Sequence, residues 1–292
     1  MTSYKYVDPI LRTAEDLART KNTAAVYNAL RTMPLADFIG LSGDNLAKSF
    51  PHLAKHIATM PTPEVQARWT GHSGHQLLTK SCNLVRLLQL QSYHLRGRDI
   101  GSGPILDYGC GWGRLTRAMG YFADPDLVHG CDPMAASLEL CNKHGVRANL
   151  HQIDPIPAAF PLSDILFDLV FSYSVMSHTS MESTMAILRT VRSVIAPDGF
   201  FATTIRPVEF WAMRSQAFGE ERTAALASDH NRTGYAFVEI GGGEGLSKNH
   251  YGDTSFSIER FTAMAEETGW RLARIDRDTL EQYQILMVLQ PV

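Results

Sequence analysis

Asp107, Gly109, Gly111, Gly113 and Asp132 are the residues of this chain whose types and spacing most plainly prepare a site. In Ile105-Leu106-Asp107-Tyr108-Gly109-Cys110-Gly111-Trp112-Gly113-Arg114 a short apolar run ends in a carboxylate and gives way to glycines at alternate positions. Such a turn lets the backbone bend tightly and approach a ligand, and a helix that follows it offers free N–H groups to an anion. The spacing sets this turn apart from two other nucleotide cradles. A dinucleotide fingerprint needs G-x-G-x-x-G. Counted from Gly109, its third place is held by Arg114, and the glycine comes one position early. A P-loop ends in G-K-[ST], and this run does not. Asp132 closes the next apolar run, 19 residues beyond Gly113. A carboxylate there can accept both hydroxyls of a ribose; it can also simply cap a helix beginning at Pro133.

A second group follows the apolar run Phe167–Ser172. Ser172, Tyr173 and Ser174 stand where open α/β sheets bind ligands, at the carboxyl ends of strands. His178 lies a few residues on, before a helix start, and could take a proton from a substrate hydroxyl or amine; hydrogen bonding to nearby backbone is the competing role. His250 and Tyr251 are rival bases, or part of a solvated loop. The pairs His52/His56 and His72/His75 come without an HExxH or a Cys/His set, so they read as surface or capping residues and no metal is expected. Cys110, within the glycine turn, reads as a small filler.

These groups need a frame, and the pattern around them supplies one. Residues 1–98 look helical, with Asp8-Pro9 as a cap and first-turn proline, and with Pro34, Pro51, Pro61 and Pro63 as punctuation. Ser73-Gly74-His75-Gln76 fits a capping box that opens a long helix ending at Gly97. From Pro104 short apolar runs alternate with helices. Strands are expected at 104–108, 127–131, 146–151, 167–172 and 200–205, and helices at 111–122, 133–144 and 179–195. The last of these helices is opened by Thr179-x-x-Glu182, and Pro197-Asp198-Gly199 forms a turn. Alternation of this kind means a parallel sheet covered on both faces. From about 207 to 257 the pattern breaks down into a long excursion with one strand at 235–240 and the cluster Gly241-Gly242-Gly243-Glu244-Gly245, as in a lid or substrate loop. A helix at 258–268 and a close antiparallel strand pair at 271–276 and 284–289 complete the chain.

Composition narrows the function. The 292 residues are 45% apolar and 20% charged, with 27 basic against 30 acidic side chains, which excludes a disordered or coiled-coil chain. A formal net charge of −3 argues against a nucleic-acid or anionic-membrane partner. Four cysteines without CxxC spacing, no apolar leader and no spanning-length apolar run are expected of a cytoplasmic protein. The aromatics Phe210, Trp211, Phe218, Tyr235 and Phe237 in the excursion favour a small organic acceptor over nucleic acid.

The run Leu106–Gly113 resembles the first motif of the Rossmann-like, class I S-adenosylmethionine-dependent methyltransferases. Asp132 matches that family's ribose acid, and Asp154 the position near the adenine amine. Residues 168–178 resemble its fourth-strand segment, and Leu188-Arg189-x-Val191-x-x-x-Ile195-x-Pro197-x-Gly199 its approach to strand five. The resemblance covers about 104–205 and the terminal helix and strands. The segments Thr204–Trp211 and Tyr251–Ser255 are similar to those of a bacterial methyltransferase subgroup and name no substrate. The resemblance implies a seven-stranded, mostly parallel sheet of order 3-2-1-4-5-7-6. It is silent on residues 1–68 and on most of 207–257, where the pattern itself sets the expectation of a helical cap over 1–98 and of a core over 99–292 with an inserted lid at about 207–257. It further implies S-adenosylmethionine as cofactor and S-adenosylhomocysteine as product. The cofactor-binding set is then Trp69, Ser73, Asp107, Gly109, Cys110, Gly111, Trp112, Gly113, Asp132, Pro133, Met134, Ile153, Asp154, Ser172 and Tyr173, with His178, His250 and Tyr251 as candidates for the chemistry.

The expected activity is methyl transfer to oxygen or nitrogen of a small molecule, in biosynthesis. Expected partners are the acceptor and, at most, a second copy of the chain in a homodimer, with neither nucleic acid nor membrane. Two rival readings stay open: a non-catalytic adenosyl-binding module of a larger assembly, and a nicotinamide-dependent oxidoreductase.

Overall fold

Helices alone fill the chain up to Arg96, and strands alternate with helices from Ile105 onward. The computed structural model describes residues 5–20, 22–162, 164–240 and 250–292. The helices before the first strand are α1 (Asp8–Arg19), α2 (Thr23–Leu30), α3 (Leu35–Gly40), α4 (Pro63–Thr70) and α5 (Gly74–Arg96). Two caps differ from expectation. Asp8 is the first residue of α1, and Val7 holds the cap position without a side-chain bond. Ser73 precedes α5 but its hydroxyl caps nothing. Instead Gln66 Oε1, from α4, accepts the Gly74 N–H at 2.8 Å, while Gln66 Nε2 donates to Pro61 O at 2.6 Å. The amide is buried and held at both ends, and it satisfies the N–H of the first residue of α5, one of the free donors at that helix end.

Strands β1 (Ile105–Tyr108), β2 (Val128–Asp132), β3 (Asn149–Gln152), β4 (Phe167–Ser172) and β5 (Ile195–Ile205) alternate with α6 (Thr116–Met119), α7 (Ala135–Lys143) and α8 (Met181–Val194). The excursion then supplies α9 (Phe210–Met213), α10 (Ser215–Phe218), α11 (Glu220–Thr233), β6 (Tyr235–Glu239) and β7 (Gly252–Phe256). The chain ends with α12 (Ile258–Glu266), β8 (Trp270–Arg277) and β9 (Ile285–Pro291). Seven strands form one sheet in the order β3-β2-β1-β4-β5-β9-β8, and β6 and β7 form a separate antiparallel pair. With β9 and β8 counted as the seventh and sixth strands, this is the expected order. β4 and β5 run parallel; β9 is antiparallel to both β5 and β8.

The chain divides into two compact units. One holds Met1–Ile105, Cys110–Gly130 and Ala135–His151; the other holds Leu106–Gly109, Cys131–Met134 and Gln152–Val292. The core of the second packs Phe167, Val170 and Phe201 of β4 and β5 against Ile187, Leu188 and Val191 of α8 and Phe261 of α12. Side chains of this size contribute roughly 1.5–3 kcal/mol each when fully buried.

Three local differences have plain causes. The helix after the glycine turn is one turn, α6, because the alternate glycines hold the preceding residues in tight turns. The cap of α8 is Ser180, whose Oγ accepts from Ser183 N–H; Thr179 Oγ1 is paired with Thr184 Oγ1 instead. Pro197-Asp198-Gly199 lies within a continuous β5 as a bulge: Phe167 pairs with Ile195, and Leu169 with Phe200.

The described residues of the excursion carry helices, a strand pair and a core. Trp211 is fully buried and donates from Nε1 to Ser255 Oγ at 2.8 Å. It packs with Phe210, Leu226, Ala236 and Val238 in a small core of its own. Phe210 and Trp211 therefore build the insertion. The cluster Gly241–Gly245 lies outside the described residues.

Candidate functional site

The residues singled out in the sequence fall in both units. In the first unit the glycine turn is fixed from behind. Half-buried Arg117 donates from Nε to Gly113 O at 2.9 Å, from Nη2 to Trp112 O at 3.2 Å and from Nη1 to Thr59 O. Its guanidinium lies 4.9 Å over the Trp112 ring, and burial lowers its pKa to about 10. Trp112 is buried, so its ring packs beneath Arg117 and is not available to cover a cofactor. Cys110 is buried against Ala58, Cys141 and Val146, a filler as expected. Gly111 has φ +54°, and a Cβ there would meet only the Trp69 ring, at 3.5 Å. Trp69 is 39% exposed, which puts a large half-open aromatic face beside the turn. Ser73 lies four residues on, at the start of α5.

In the second unit β1 delivers Asp107 and runs into Gly109, while β2, its neighbour in the sheet, delivers Asp132. Gly109 N–H donates to Cys131 O at 2.8 Å, tying the two strand ends together. Gly109 has φ +76°, and a Cβ would lie 2.3 Å from Val175 Cγ2, so only glycine fits. Asp107 and Asp132 are both buried. Asp132 Oδ1 accepts the Met134 N–H at 2.9 Å, which is the local capping role, and Ile153 N–H donates to Asp132 O at 3.3 Å. Pro133 and Met134 are half-buried and Asp154 is exposed. Burial, with the charge of Asp132 adding to it, holds the Tyr108 phenol and the Cys131 thiol well above their usual pKa ranges.

At the end of β4, Ser172 is buried and its Oγ has no hydrogen-bond partner among the described residues. Tyr173 turns its hydroxyl to Asp278 Oδ2 at 2.7 Å. Ser174 has φ +61°, a left-handed backbone in a residue with a side chain, pinned by its N–H to Thr204 Oγ1 at 2.8 Å. The loop after it pairs with β7. Thr254 N–H donates to Ser177 O, Gly252 N–H to His178 O, and Ser180 N–H to His250 O, with a bridge between Thr179 and Tyr251.

That pairing assembles an ionic cluster. Arg206, the residue after β5, donates from Nη1 to Asp253 Oδ1 at 2.8 Å and to Ser177 O at 2.9 Å, and from Nη2 to His178 Nε2 at 3.0 Å. Because Nε2 accepts, Nδ1 carries the proton and donates to Gly252 O at 2.8 Å. Burial and the Arg206 charge lower the His178 pKa to about 4. His178 is thus a neutral strut with both ring nitrogens engaged. Arg214 approaches the other oxygen of Asp253 at 2.7 Å. The Tyr251 ring stacks on His178 at 5.4 Å, and burial raises its phenol pKa. His250 Nδ1 has no hydrogen-bond partner among the described residues, and Glu182 Oε2 lies 3.9 Å away.

Residues 105–199 match the family model described as a methyltransferase domain. The matched stretch is a methyltransferase domain. It begins with the strand that delivers Asp107 and ends at Gly199, in the bulge of β5. The magnesium protoporphyrin IX methyltransferase of Synechocystis PCC 6803, solved with bound SAH, shares the fold with a TM-score of 0.52 at 14% identity, over 78% of this chain and 95% of that one. A protein of Pyrococcus horikoshii OT3 does so with a TM-score of 0.50 at 16% identity, over 78% of this chain and 97% of that one. No curated protein matches the chain. Among the described residues no helix is long and apolar enough to cross a membrane, and no group of three or more His, Cys, Asp or Glu could hold a metal.

The methyltransferase domain fits an adenosyl cofactor on its own chemistry. Gly109 leaves the backbone bare where β1 ends, Asp132 is a buried carboxylate at the next strand end, and the Ser172 hydroxyl is an unmatched polar group. Arg206, Arg214 and Asp253 carried no role in the sequence reading. The one signal was the position of Arg206 directly after strand five, at the edge where ligands bind.

Proposed function

We propose that the chain is an S-adenosylmethionine-dependent methyltransferase acting on an oxygen or nitrogen of a small organic acceptor, in cytoplasmic biosynthesis. The observation that carries this reading is the pair of adjacent strand ends, β1 with Asp107 and left-handed Gly109, and β2 with buried Asp132. Asp132 would accept the ribose hydroxyls, and Ile153 and Asp154 would flank the base. Backbone N–H groups of Gly109, Cys110, Gly111 and Gly113 would meet the methionine carboxylate, with Asp107 near its ammonium. Trp69, Ser73, Pro133, Met134, Ser172 and Tyr173 complete the set, and Trp112 contributes through its backbone. Bound there, S-adenosylmethionine supplies a methyl carbon activated by sulfonium, and S-adenosylhomocysteine is what remains.

The protein's own part is positioning. His178 holds Arg206 and the Tyr251 ring in place as a neutral strut. Tyr251, its phenol kept protonated, can donate a hydrogen bond. Proton removal, where an acceptor requires it, falls to His250, which stands beside Glu182. The division into a helical region 1–98 and a core 99–292, with an inserted lid or substrate segment at about 207–257, belongs to the same proposal.

Calorimetric titration of wild type and Asp132→Ala with S-adenosylmethionine, S-adenosylhomocysteine and NAD tests it. Micromolar binding of the sulfur nucleosides only, weakened about 10-fold or more by the substitution, is expected. Binding of NAD instead, or of nothing, would overturn the reading.

A further inference from the structure

We propose that the methyl acceptor carries a carboxylate that docks on Arg214, beside the Arg206–Asp253 pair; the word acceptor rests on the methyltransferase reading above. The argument begins with charge. Asp253 is 3% exposed at its side chain and is flanked by two guanidiniums, Arg206 at 2.8 Å and Arg214 at 2.7 Å. His178, the third member, is neutral by its hydrogen bonds. Two cations against one anion leave a single positive charge in excess in a partly desolvated site, where an unmatched charge is costly and a counter-ion is favoured. Tyr251 is acted on by Arg206, Asp253 and also Asp132, so the cluster stands within electrostatic reach of the carboxylate assigned to the ribose.

Geometry then selects Arg214 over Arg206. Arg206 is committed to Asp253, Ser177 O and His178, with its guanidinium 4.1 Å over the Phe210 ring, and its side chain is 11% exposed. Arg214 is 30% exposed at its side chain, and its ion-pair partner among the described residues is Asp253 alone. The Phe218 ring lies 4.9 Å from its guanidinium and that of Phe210 6.0 Å, which orient the guanidinium plane and offer apolar surface beside it. A planar, partly exposed guanidinium matches a carboxylate, and one excess charge matches a monoanion better than a phosphate dianion.

Benzoate, benzamide and inorganic phosphate are the probes, titrated by calorimetry into wild type, Arg214→Gln and Arg214→Lys, each with and without saturating S-adenosylhomocysteine. Benzoate is expected to bind wild type at least 10-fold more tightly than benzamide, to lose that advantage in Arg214→Gln and to keep part of it in Arg214→Lys. Equal binding of benzoate and benzamide, benzoate binding untouched by Arg214→Gln, or no benzoate binding at all would overturn the proposal. Tighter binding of phosphate than of benzoate would overturn the carboxylate assignment. Failure of S-adenosylhomocysteine to bind would overturn the methyltransferase reading, while the titrations without it still decide on the arginine site.

Discussion

Arg117 and Arg206 are both guanidiniums drawn out of water, and they are satisfied in opposite ways. Arg117, behind the glycine turn, is held by three backbone carbonyls and the Trp112 ring. Arg206, after β5, is held by a carboxylate, an imidazole nitrogen and one carbonyl. Carbonyls neither titrate nor move independently of the backbone, so the first arrangement fixes the turn at every pH the fold survives. Carboxylate and imidazole change charge, and the second arrangement is therefore sensitive to protonation and to added ions. The contrast separates a part of the molecule that holds a shape from a part that answers to a ligand.

The largest test of that contrast is Asp253→Asn. Removing the one carboxylate between Arg206 and Arg214 strands two cations and should cost about 3–5 kcal/mol in urea unfolding. A carboxylate ligand such as benzoate should restore part of that loss. A cost below 1 kcal/mol would mean that the cluster is well solvated and would erase the distinction.

Arg117→Met comes next. It leaves the carbonyls of Thr59, Trp112 and Gly113 without their donor, at a cost of about 3 kcal/mol in the same measurement. Its hydrogen-bond partners do not titrate, so the only slope expected from pH 5 to 8 is that of His144, whose pKa burial and then the Arg117 charge lower; a slope that persists in Arg117→Met with His144→Gln would show that another titrating group shares the site.

The smallest effect is a pH dependence. The folded-state pKa of His178, about 4, lies below its unfolded value near 6.5. Above pH 6.5 the ring is neutral in both states and its contribution is complete. As pH falls towards 4 the unfolded chain takes up a proton that the folded chain refuses, so stability declines by roughly 1–3 kcal/mol and then levels off. His129, also lowered to about 4, adds a similar slope. His178→Gln should therefore flatten the profile in part, as read from thermal unfolding at steps across this range, and an unchanged profile would show that His178 is not buried neutral.

What the sequence disclosed and what it hid follow from distance along the chain. Asp107, Gly109 and Asp132 were legible because a strand, a turn and the next strand place them by local rules. Sheet order came with the resemblance to the methyltransferase family, and the close spacing of β8 and β9 agreed with it. The Arg206–Asp253–His178–Arg214 cluster was not, since its members lie up to 75 residues apart and meet only when β7 pairs with the loop after β4. His178 was found with two roles open, base or partner of nearby backbone; its bonds to Gly252 O and to the Arg206 guanidinium, which follows β5, favour the second. Gln66 was missed as the cap of α5 because it sits a helix upstream of the position where capping patterns are sought.

The placing of β9 between β5 and β8 has a consequence for how the molecule is made. The ribosome delivers β8 before β9, yet β9 is the strand that lies against β5. Until Ile285–Leu289 arrives, the edge of β5 at Phe201–Ile205 stays open beside a neighbour that must not close onto it, and Phe201 is among the residues exposed meanwhile. An apolar strand edge left unpaired during synthesis invites pairing with another chain. Expression yield should therefore respond most steeply to substitutions that slow the docking of this one late strand.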